Sequence, residues 1–362
     1  MTDQPLVGIV TRTKNRRVLL KRALESVLDQ SYPHWRMVIV NDGGDRDDVD
    51  ALVARYASAA RDRVSVVHNA RSLGMEGASK VGLAALDTEL LVMHDDDDSW
   101  APEFLAVTTR ELRQLQAKYP AVQGVTTYAN LVMEQVNGNV VHTDSIEPFN
   151  AWVPPGFLSF DRMLASNFIP PISFVFSRAV YDELGGVYEA IPYLGDWDFL
   201  IRFLSKYEVC MIPQYLAFYH WRSRSHSGVM ANSVTDEIGR HKFYRQMLLN
   251  QWLRADIAAG RFGIGAYANL RGHIEMFAHQ AHERETAQPE APLVVHAAAP
   301  SAEPPPAEAS PAHAADASAD HVVVATNGAT NGVANGSAPA RHRVARALRR
   351  IASWGTIRRT RG

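Results

Sequence analysis

The chain reads as an α/β fold built on a mostly parallel sheet flanked by helices. Three observations predict it. Apolar runs of strand length alternate with helix-period segments from residue 6 to about 130, and this order yields a parallel sheet. The runs are continuously apolar, as strands covered on both faces are. The fourth run, Leu90-Leu91-Val92-Met93, is followed after His94 by four aspartates, Asp95 to Asp98. Open α/β sheets bind their ligands beyond the carboxyl ends of the strands.

Leu6 to Thr11 is the first strand. A helix follows, with Val18, Leu19, Leu20, Ala23, Leu24, Val27 and Leu28 on one broad face;. Met37 to Val40 is the second strand, closed by the turn sequence Asn41-Asp42-Gly43-Gly44;. Residues 47–60 read as helix and Val64 to Val67 as the third strand. Gly74 to Gly77 opens a helix that runs to about Leu86, and Pro102 suits the first turn of the helix after the fourth strand. Val125 to Val136 and Asn139 to His142 read as a hairpin around Asn137-Gly138. Prolines at 148, 154, 155, 170 and 171 divide the next stretch into loops. Trp197 to Leu204 is helical, and two more helices are expected around Phe243 to Ile257 and Ile264 to His282.

From Ala287 to Asp320, 13 of 34 residues are alanine and 7 are proline, and Asn-Gly recurs at 327, 331 and 335. Such a stretch buries too little apolar surface to offset its ordering entropy, so it is expected to be a disordered linker. The last segment, Arg341 to Gly362, carries eight arginines and no acid, with Val344, Leu348 and Ile351 at helical spacing.

The 362 residues are 46% hydrophobic and 21% charged, within the ordinary range of soluble domains. A net charge of -2 gives no argument for nucleic acid. Cys210 is the only cysteine, so no intrachain disulfide or cysteine-rich zinc site is expected, in keeping with a reducing compartment. The apolar run Leu6 to Val10 is too short for a signal-peptide core. No stretch reaches the ~18 apolar residues of a spanning helix, so any membrane association is expected to be peripheral.

Four adjacent carboxylates repel one another, and some of their pKa values rise unless a cation sits among them. A divalent metal carrying phosphates removes that penalty. Residues i and i+2 of an extended chain point the same way, so Asp95 with Asp97, or in the other register Asp96 with Asp98, face a ligand together. Asp98 or Ser99 also suits a helix cap.

Taken together over residues 5–230, the motifs resemble a family 2 glycosyltransferase of the GT-A fold. Thr11-Arg12-Thr13-Lys14-Asn15-Arg16 is similar to the family's opening, where the first strand meets the nucleotide base. Asp42 stands where the family has an aspartate that hydrogen-bonds the base. Gly74-Met75-Glu76-Gly77-Ala78-Ser79-Lys80 resembles a segment that often carries Ala-Arg-Asn; Ser79 replaces the arginine, and Lys80 or Arg71 is expected to supply the missing charge. Asp95 to Asp98 resembles the metal motif of two carboxylates around one residue. His94 replaces a residue that is usually apolar, and reads as packed rather than ligating.

Tyr193-Leu194-Gly195-Asp196-Trp197-Asp198 is similar to the acceptor-side segment, which commonly has Glu-Asp where this chain has Gly195-Asp196. Asp196 matches the catalytic base, with Asp198 as a fallback. Tyr219 to Ser227 resembles the loop that closes on the diphosphate. There His220 or His226 takes the metal role, and Arg222 or Arg224 meets the phosphates.

The resemblance thus implies a cytoplasmic, metal-dependent inverting glycosyltransferase that moves a sugar from a nucleotide diphosphate-sugar to a hydroxyl acceptor. It implies Asp196 as base, and donor binding by Thr11, Thr13, Asn15, Asp42, Gly74, Lys80, Asp95, Asp96 and Arg222. Mg²⁺ or Mn²⁺ is expected on Asp97 and His220, since both ions suit carboxylate and diphosphate oxygens. The expected organisation is a GT-A domain over 1–230 (nucleotide half 1–100, acceptor half 101–230). A helical extension follows at 231–285, then a linker at 286–340 and a basic amphipathic tail at 341–362. The tail suits the inner face of a membrane and a lipid-linked glycan acceptor of bacterial surface polysaccharide assembly.

Two competing readings are a non-catalytic nucleotide-sugar binding module and a sugar nucleotidyltransferase. The second needs a glycine-rich phosphate loop after the first strand, and Arg12 to Arg17 contains no glycine.

Overall fold

Strand β1 (Val7–Thr13) is buried along almost its whole length, because nine further strands and their helices are laid out on either side of it. The computed structural model describes residues 4–138, 140–188, 193–222, 230, 232 and 238–261, with isolated positions as far as 278. In chain order the next elements are α1 (Arg17–Leu28), β2 (Trp35–Asn41), α2 (Arg46–Arg55), α3 (Ala57–Ala60), β3 (Val64–His68), α4 (Gly74–Ala84) and β4 (Leu90–Met93). The helix face expected for α1 is the one buried, through Leu19, Leu20, Ala23, Leu24 and Val27. Each leucine and valine among these contributes about 1.5–3 kcal/mol when fully buried. The Asp45 side chain caps α2 by accepting from the Asp48 N–H at 3.1 Å;. Gly82 lets α4 press onto the sheet, since a Cβ there would stand 2.5 Å from Val10 Cγ1 and 2.9 Å from Val40 Cγ2.

The second half contains β5 (Ser99–Trp100), α5 (Phe104–Lys118), β6 (Val122–Asn137), β7 (Val140–Pro148), β8 (Gly156–Phe157) and α6 (Phe160–Ala165). A 3-10 turn (Pro171–Ser173) leads into β9 (Phe174–Ser177), α7 (Arg178–Glu183), α8 (Gly195–Leu204), β10 (Glu208–Trp221) and α9 (Ile238–Ala258). The ten described strands form one sheet in the order β3-β2-β1-β4-β9-β6-β10-β5, with β7 on β6 and β8 on β10. The pairs β2–β3, β1–β2 and β1–β4 are parallel, as the β-α-β order predicts. Beyond β4 the sheet is mixed: β9 runs antiparallel to β4 and β6, while β10 is parallel to β6. This is the α/β, GT-A-like architecture that the motifs implied.

The expected hairpin forms, with Asn137 opposite Val140. Three details differ from expectation. Pro102 precedes α5 instead of entering its first turn, and its carbonyl accepts from Ser31 N and Oγ. The proline-rich stretch holds α6, β9 and α7. The fourteen-residue strand β10 was not expected, because Pro213 interrupts its apolar run; the strand accommodates the proline at a register irregularity between Ile212 and Tyr215;.

The core joins Ile9, Leu24, Met37, Ile39, Val92, Phe104, Leu112, Val125 and Ala217. The described residues fall into two compact units that meet in sequence between Gln251 and Trp252, and all that follows concerns the first. No described helix is long and apolar enough to cross a membrane. Most of the helix expected around 264–282, the linker at 286–340 and the tail at 341–362 lie outside the described residues.

Candidate active site

The carboxyl ends of β1, β2 and β4 open into a cleft of about 600 Å³. Thr13, Asn15, Asp42, Gly74, Asp95, Asp96 and Asp97 all line it, together with Arg12 and Arg16. Asn15 takes a left-handed backbone conformation, φ 57°, and its Oδ1 accepts from the Asp45 N–H at 2.8 Å. Asp42 accepts from Asn69 Nδ2 (2.8 Å), Ser72 Oγ (2.6 Å), Leu73 N (2.8 Å) and Gly74 N (3.0 Å). Burial alone would raise its pKa, but these donors hold the carboxyl below its usual range;. Asp42 therefore pins the 69–74 loop against the second strand end.

The four aspartates divide their tasks. Asp95 pairs with Arg12, whose Nε donates at 3.1 Å. The same guanidinium donates to Ser79 Oγ at 3.0 Å and Met75 O at 3.3 Å. The charge expected from Lys80 or Arg71 thus comes from β1: both of those residues are exposed and line no described cavity.

Asp96 Oδ1 accepts from Arg16 at 3.1 Å, while its buried Oδ2 has no partner. Burial, opposed by Arg16 and reinforced by Asp97, pushes the Asp96 carboxyl up to about 6. Asp97 pairs with Arg222 and, at 3.3 Å, with Arg16. Against the effect of burial, these cations hold its pKa below the usual value. Asp98 turns away from the cleft and accepts from the His220 N–H at 2.9 Å. Neither Asp98 nor Ser99 caps α5. Burial and the adjacent Asp97 raise the Asp98 pKa well above the usual value.

His94 is fully buried, edge-on to Trp100 with ring centroids 4.3 Å apart. Burial depresses its pKa to about 4, so it packs as a neutral ring.

Behind the aspartates stands Glu134 on β6, a residue that the motifs did not single out. Its fully buried carboxylate accepts from Arg22 (2.6 Å), Arg222 (2.7 Å) and His220 Nδ1 (2.8 Å). Burial is outweighed by these donors, which bring its pKa down to about 2. A lone glutamate in an apolar strand, two residues from buried Val132 on the same face;, is the signal that marks it.

The network corrects two expectations. Arg222 is fully buried and engaged with Asp97, Glu134 and Met230 O, so it braces the aspartate cluster from behind instead of lining the cleft. His220 is kept neutral by burial. Its Nδ1–H points at Glu134 and its Nε2 lies 2.9 Å from Ser99 Oγ, which leaves no lone pair for a metal in this arrangement. Thr11 is fully buried and lines no described cavity. The alternatives Arg224 and His226 lie outside the described residues.

A second cavity of about 120 Å³ adjoins the first, and Arg12, Met75, Asp95 and Tyr219 line both. Its wall is largely apolar and holds Asp196, whose Oδ2 accepts from Asn167 Nδ2 at 2.8 Å. Burial dominates and raises the Asp196 pKa, the direction that favours proton acceptance near neutral pH. Asp196 stands in the first turn of α8 without capping it. Asp198, the fallback base, is instead tied to Arg202 at 2.8 Å. Glu76, Tyr181, Tyr219 and His241 complete this cavity's polar groups, and the motifs assign a role to none of them.

Residues 8–184 match the family model described as Glycosyl transferase family 2. Among curated proteins the chain is similar to the "Putative colanic acid biosynthesis glycosyl transferase WcaA" of Escherichia coli K12. The two are 33% identical over 116 residues, 32% of this chain and 40% of the relative. The "Putative teichuronic acid biosynthesis glycosyltransferase TuaG" of Bacillus subtilis is 32% identical over 105 residues, 28% of this chain and 40% of the relative. The chain thus spans two fifths of the length of these two relatives. An uncharacterized glycosyltransferase of Bacillus subtilis, YwdF, is 23% identical over 207 residues, 57% of this chain and 71% of the relative. Among solved structures, the mannosyltransferase PcManGT from Pyrobaculum calidifontis, in complex with GDP-Man and Mn2+, aligns over 79% of this chain and 84% of that one. The identity is 17% and the TM-score 0.48.

Proposed function

From the match of residues 8–184 to the Glycosyl transferase family 2 model, we propose that the chain is an inverting glycosyltransferase that uses a nucleotide diphosphate-sugar. The observation that carries this is the shared wall of the two cavities. Arg12 and Asp95 face both the basic, acid-lined cleft and the apolar cavity that contains Asp196. The nucleotide occupies the larger cleft beside Asp42 and Asn15, with its diphosphate toward Arg16. The acceptor hydroxyl approaches Asp196, whose carboxylate takes the hydroxyl proton. The acceptor oxygen forms the new bond to the anomeric carbon, the bond to the diphosphate breaks, and configuration inverts. Arg12 and Arg16 oppose the negative charge that develops on the leaving group.

The donor set fits Mg²⁺ or Mn²⁺. Such an ion commonly takes one or two carboxylates plus substrate phosphates rather than a full protein cage. No group of three metal-ligating side chains converges among the described residues. Asp96 Oδ2, buried and without a partner, points to an absent cation or donor;. Asp97 and Asp96 would hold the ion, which would supply charge stabilisation to the diphosphate.

A panel of UDP- and GDP-sugars tests this, by measuring nucleotide release with Mg²⁺, with Mn²⁺ and in excess EDTA. Release from at least one donor, lost in EDTA, is expected. No release from any donor refutes the transferase reading, and full release in EDTA refutes the metal.

The acceptor side of the proposal is a lipid-linked glycan, in keeping with the polysaccharide pathways named for the two relatives. The arginine-rich segment 341–362 would then hold the enzyme at anionic lipid. Co-sedimentation of the full chain with anionic vesicles, set against a chain ending at Thr286, is expected to show binding by the full chain only. Equal binding by both removes the tail from this role.

A further inference from the structure

Gly195, which stands where the family commonly has an acid, is not an empty position. A Cβ built on it would lie 2.4 Å from Glu76 Cδ, 2.5 Å from Oε1 and 2.8 Å from Oε2. The Glu76 carboxyl group, reaching across from α4, therefore fills the space over the Gly195 backbone, and the Gly195 N–H donates to it. Glu76 is 7% exposed and lines the smaller cavity with Asp196 and Arg12.

The same helix shows a matching exchange one turn on. Ser79 is small where the family often has arginine, and the Arg12 guanidinium from β1 reaches its hydroxyl. Both the acid and the cation of this corner are thus supplied from backbone positions other than the usual ones. The two exchanges fit each other, because Arg12 opposes the charge of Glu76 and of Asp196 alike.

We propose that Glu76 is a positioning residue of the reaction centre: it takes the place of a side chain at 195, holds the start of α8 and sets the charge around Asp196. The proposal rests on the transferase reading above. The charged and titratable groups around Glu76 are Arg12 from β1, Asp95 after β4, Tyr181 of α7 and Asp196 of α8, with Tyr219 of β10 and His241 of α9 on the same cavity. Burial, partly offset by Arg12 and reinforced by Asp196 and Asp95, pushes Glu76 up to about 7. Its ionised form opposes ionisation of Asp196.

The test uses the donor identified by the panel. Glu76→Gln keeps an acceptor for the Gly195 N–H and removes the charge. Turnover is expected to fall about tenfold at neutral pH with donor KM unchanged, and the acid limb of the pH–rate profile to move down by about half a unit or more. A merely structural role would not move that limb. Glu76→Ala is expected to lose more, and the double variant Glu76→Ala with Gly195→Glu to recover turnover, since the acid returns from position 195. An active wild type whose Glu76→Gln variant keeps the wild-type turnover and pH profile overturns the proposal and leaves the transferase reading intact. A wild type inactive on every donor overturns that reading and this one with it.

A second measurement does not depend on activity. Gly195→Ala is expected to lower the unfolding midpoint, and adding Glu76→Ala to restore part of the loss. Purely additive losses overturn the packing on which the proposal stands.

Discussion

Two pairs of acids on either side of Arg12, Asp97 with Glu134 and Glu76 with Asp196, are held in opposite ways. On the nucleotide side, Asp97 and Glu134 are buried but surrounded by Arg16, Arg22 and Arg222, and both are driven toward the ionised state. On the acceptor side, buried Glu76 and half-buried Asp196 share a cavity with Met93, Phe174, Phe176 and Phe199, with Arg12 as their counter-charge, and both are driven toward the protonated state. The same residue chemistry therefore serves two ends. Asp97, proposed to face the diphosphate and its cation, is embedded among arginines that hold it ionised, while Asp96 beside it is pushed up to about 6. Asp196, the proposed base, is kept among apolar walls, where desolvation raises its basicity;.

The largest expected effect breaks the acceptor side of this comparison. Asp196→Asn keeps shape and the contact with Asn167 but removes the base. Turnover is expected to fall by ~10²–10⁴-fold, with donor binding, read by thermal shift or calorimetry, retained. Near-normal turnover would remove Asp196 from the chemistry and leave the raised pKa of that cavity without a purpose.

The nucleotide side breaks through stability instead. Glu134→Gln leaves Arg222 and its neighbours with one buried charge fewer to oppose them. Loss of one partner of a buried pair costs about 3–5 kcal/mol, read as a lower midpoint in denaturant. The sign of the pH dependence follows from the shift. The Glu134 pKa falls from 4.5 to about 2 on folding, so its stabilisation is present above 4.5 and is lost as pH falls toward 2. The deficit of Glu134→Gln relative to wild type is therefore expected to shrink across that window. A deficit independent of pH would show that Glu134 acts by packing and not by charge.

How far each side could be read from the sequence follows from the same contrast. The nucleotide side is made of strand ends and the turns that follow them, so Asp42, Gly74 and Asp95 to Asp97 sit within short contiguous motifs, and the β-α-β periodicity places them on one sheet edge. The parts that were not legible depend on long-range partners. Glu134 meets Arg22 across 112 residues and Arg222 across 88, and nothing local in an apolar strand announces those contacts. Nothing in the helix pattern of α4 marks Glu76, because its partner is the Gly195 backbone of α8, far away in sequence. The strand β10, which carries Tyr219 and His220, was hidden because Pro213 breaks the pattern at the point where the pairing with β6 shifts. Arg222 and His220 fall in the segment the motifs marked, but their side chains turn inward to Glu134, and only the sheet pairing decides that.

The smallest effect sharpens the boundary between the two sides. Lys80 was expected to replace the cation missing at Ser79, yet it is exposed and lines neither cavity, while Arg12 reaches Ser79 from β1. Exposed substitutions away from such features change free energies by about 0.5 kcal/mol or less, which is roughly a twofold change in rate. Lys80→Ala is therefore expected to leave turnover and donor KM within about twofold of wild type. Arg12→Ala, by contrast, would leave Asp95, Glu76 and Asp196 without their common counter-charge and is expected to impair both donor binding and turnover. If Lys80→Ala weakened donor binding as much as Arg12→Ala does, the helix face of α4 would belong to the donor site after all. The division at Arg12 would then have to be redrawn to include it.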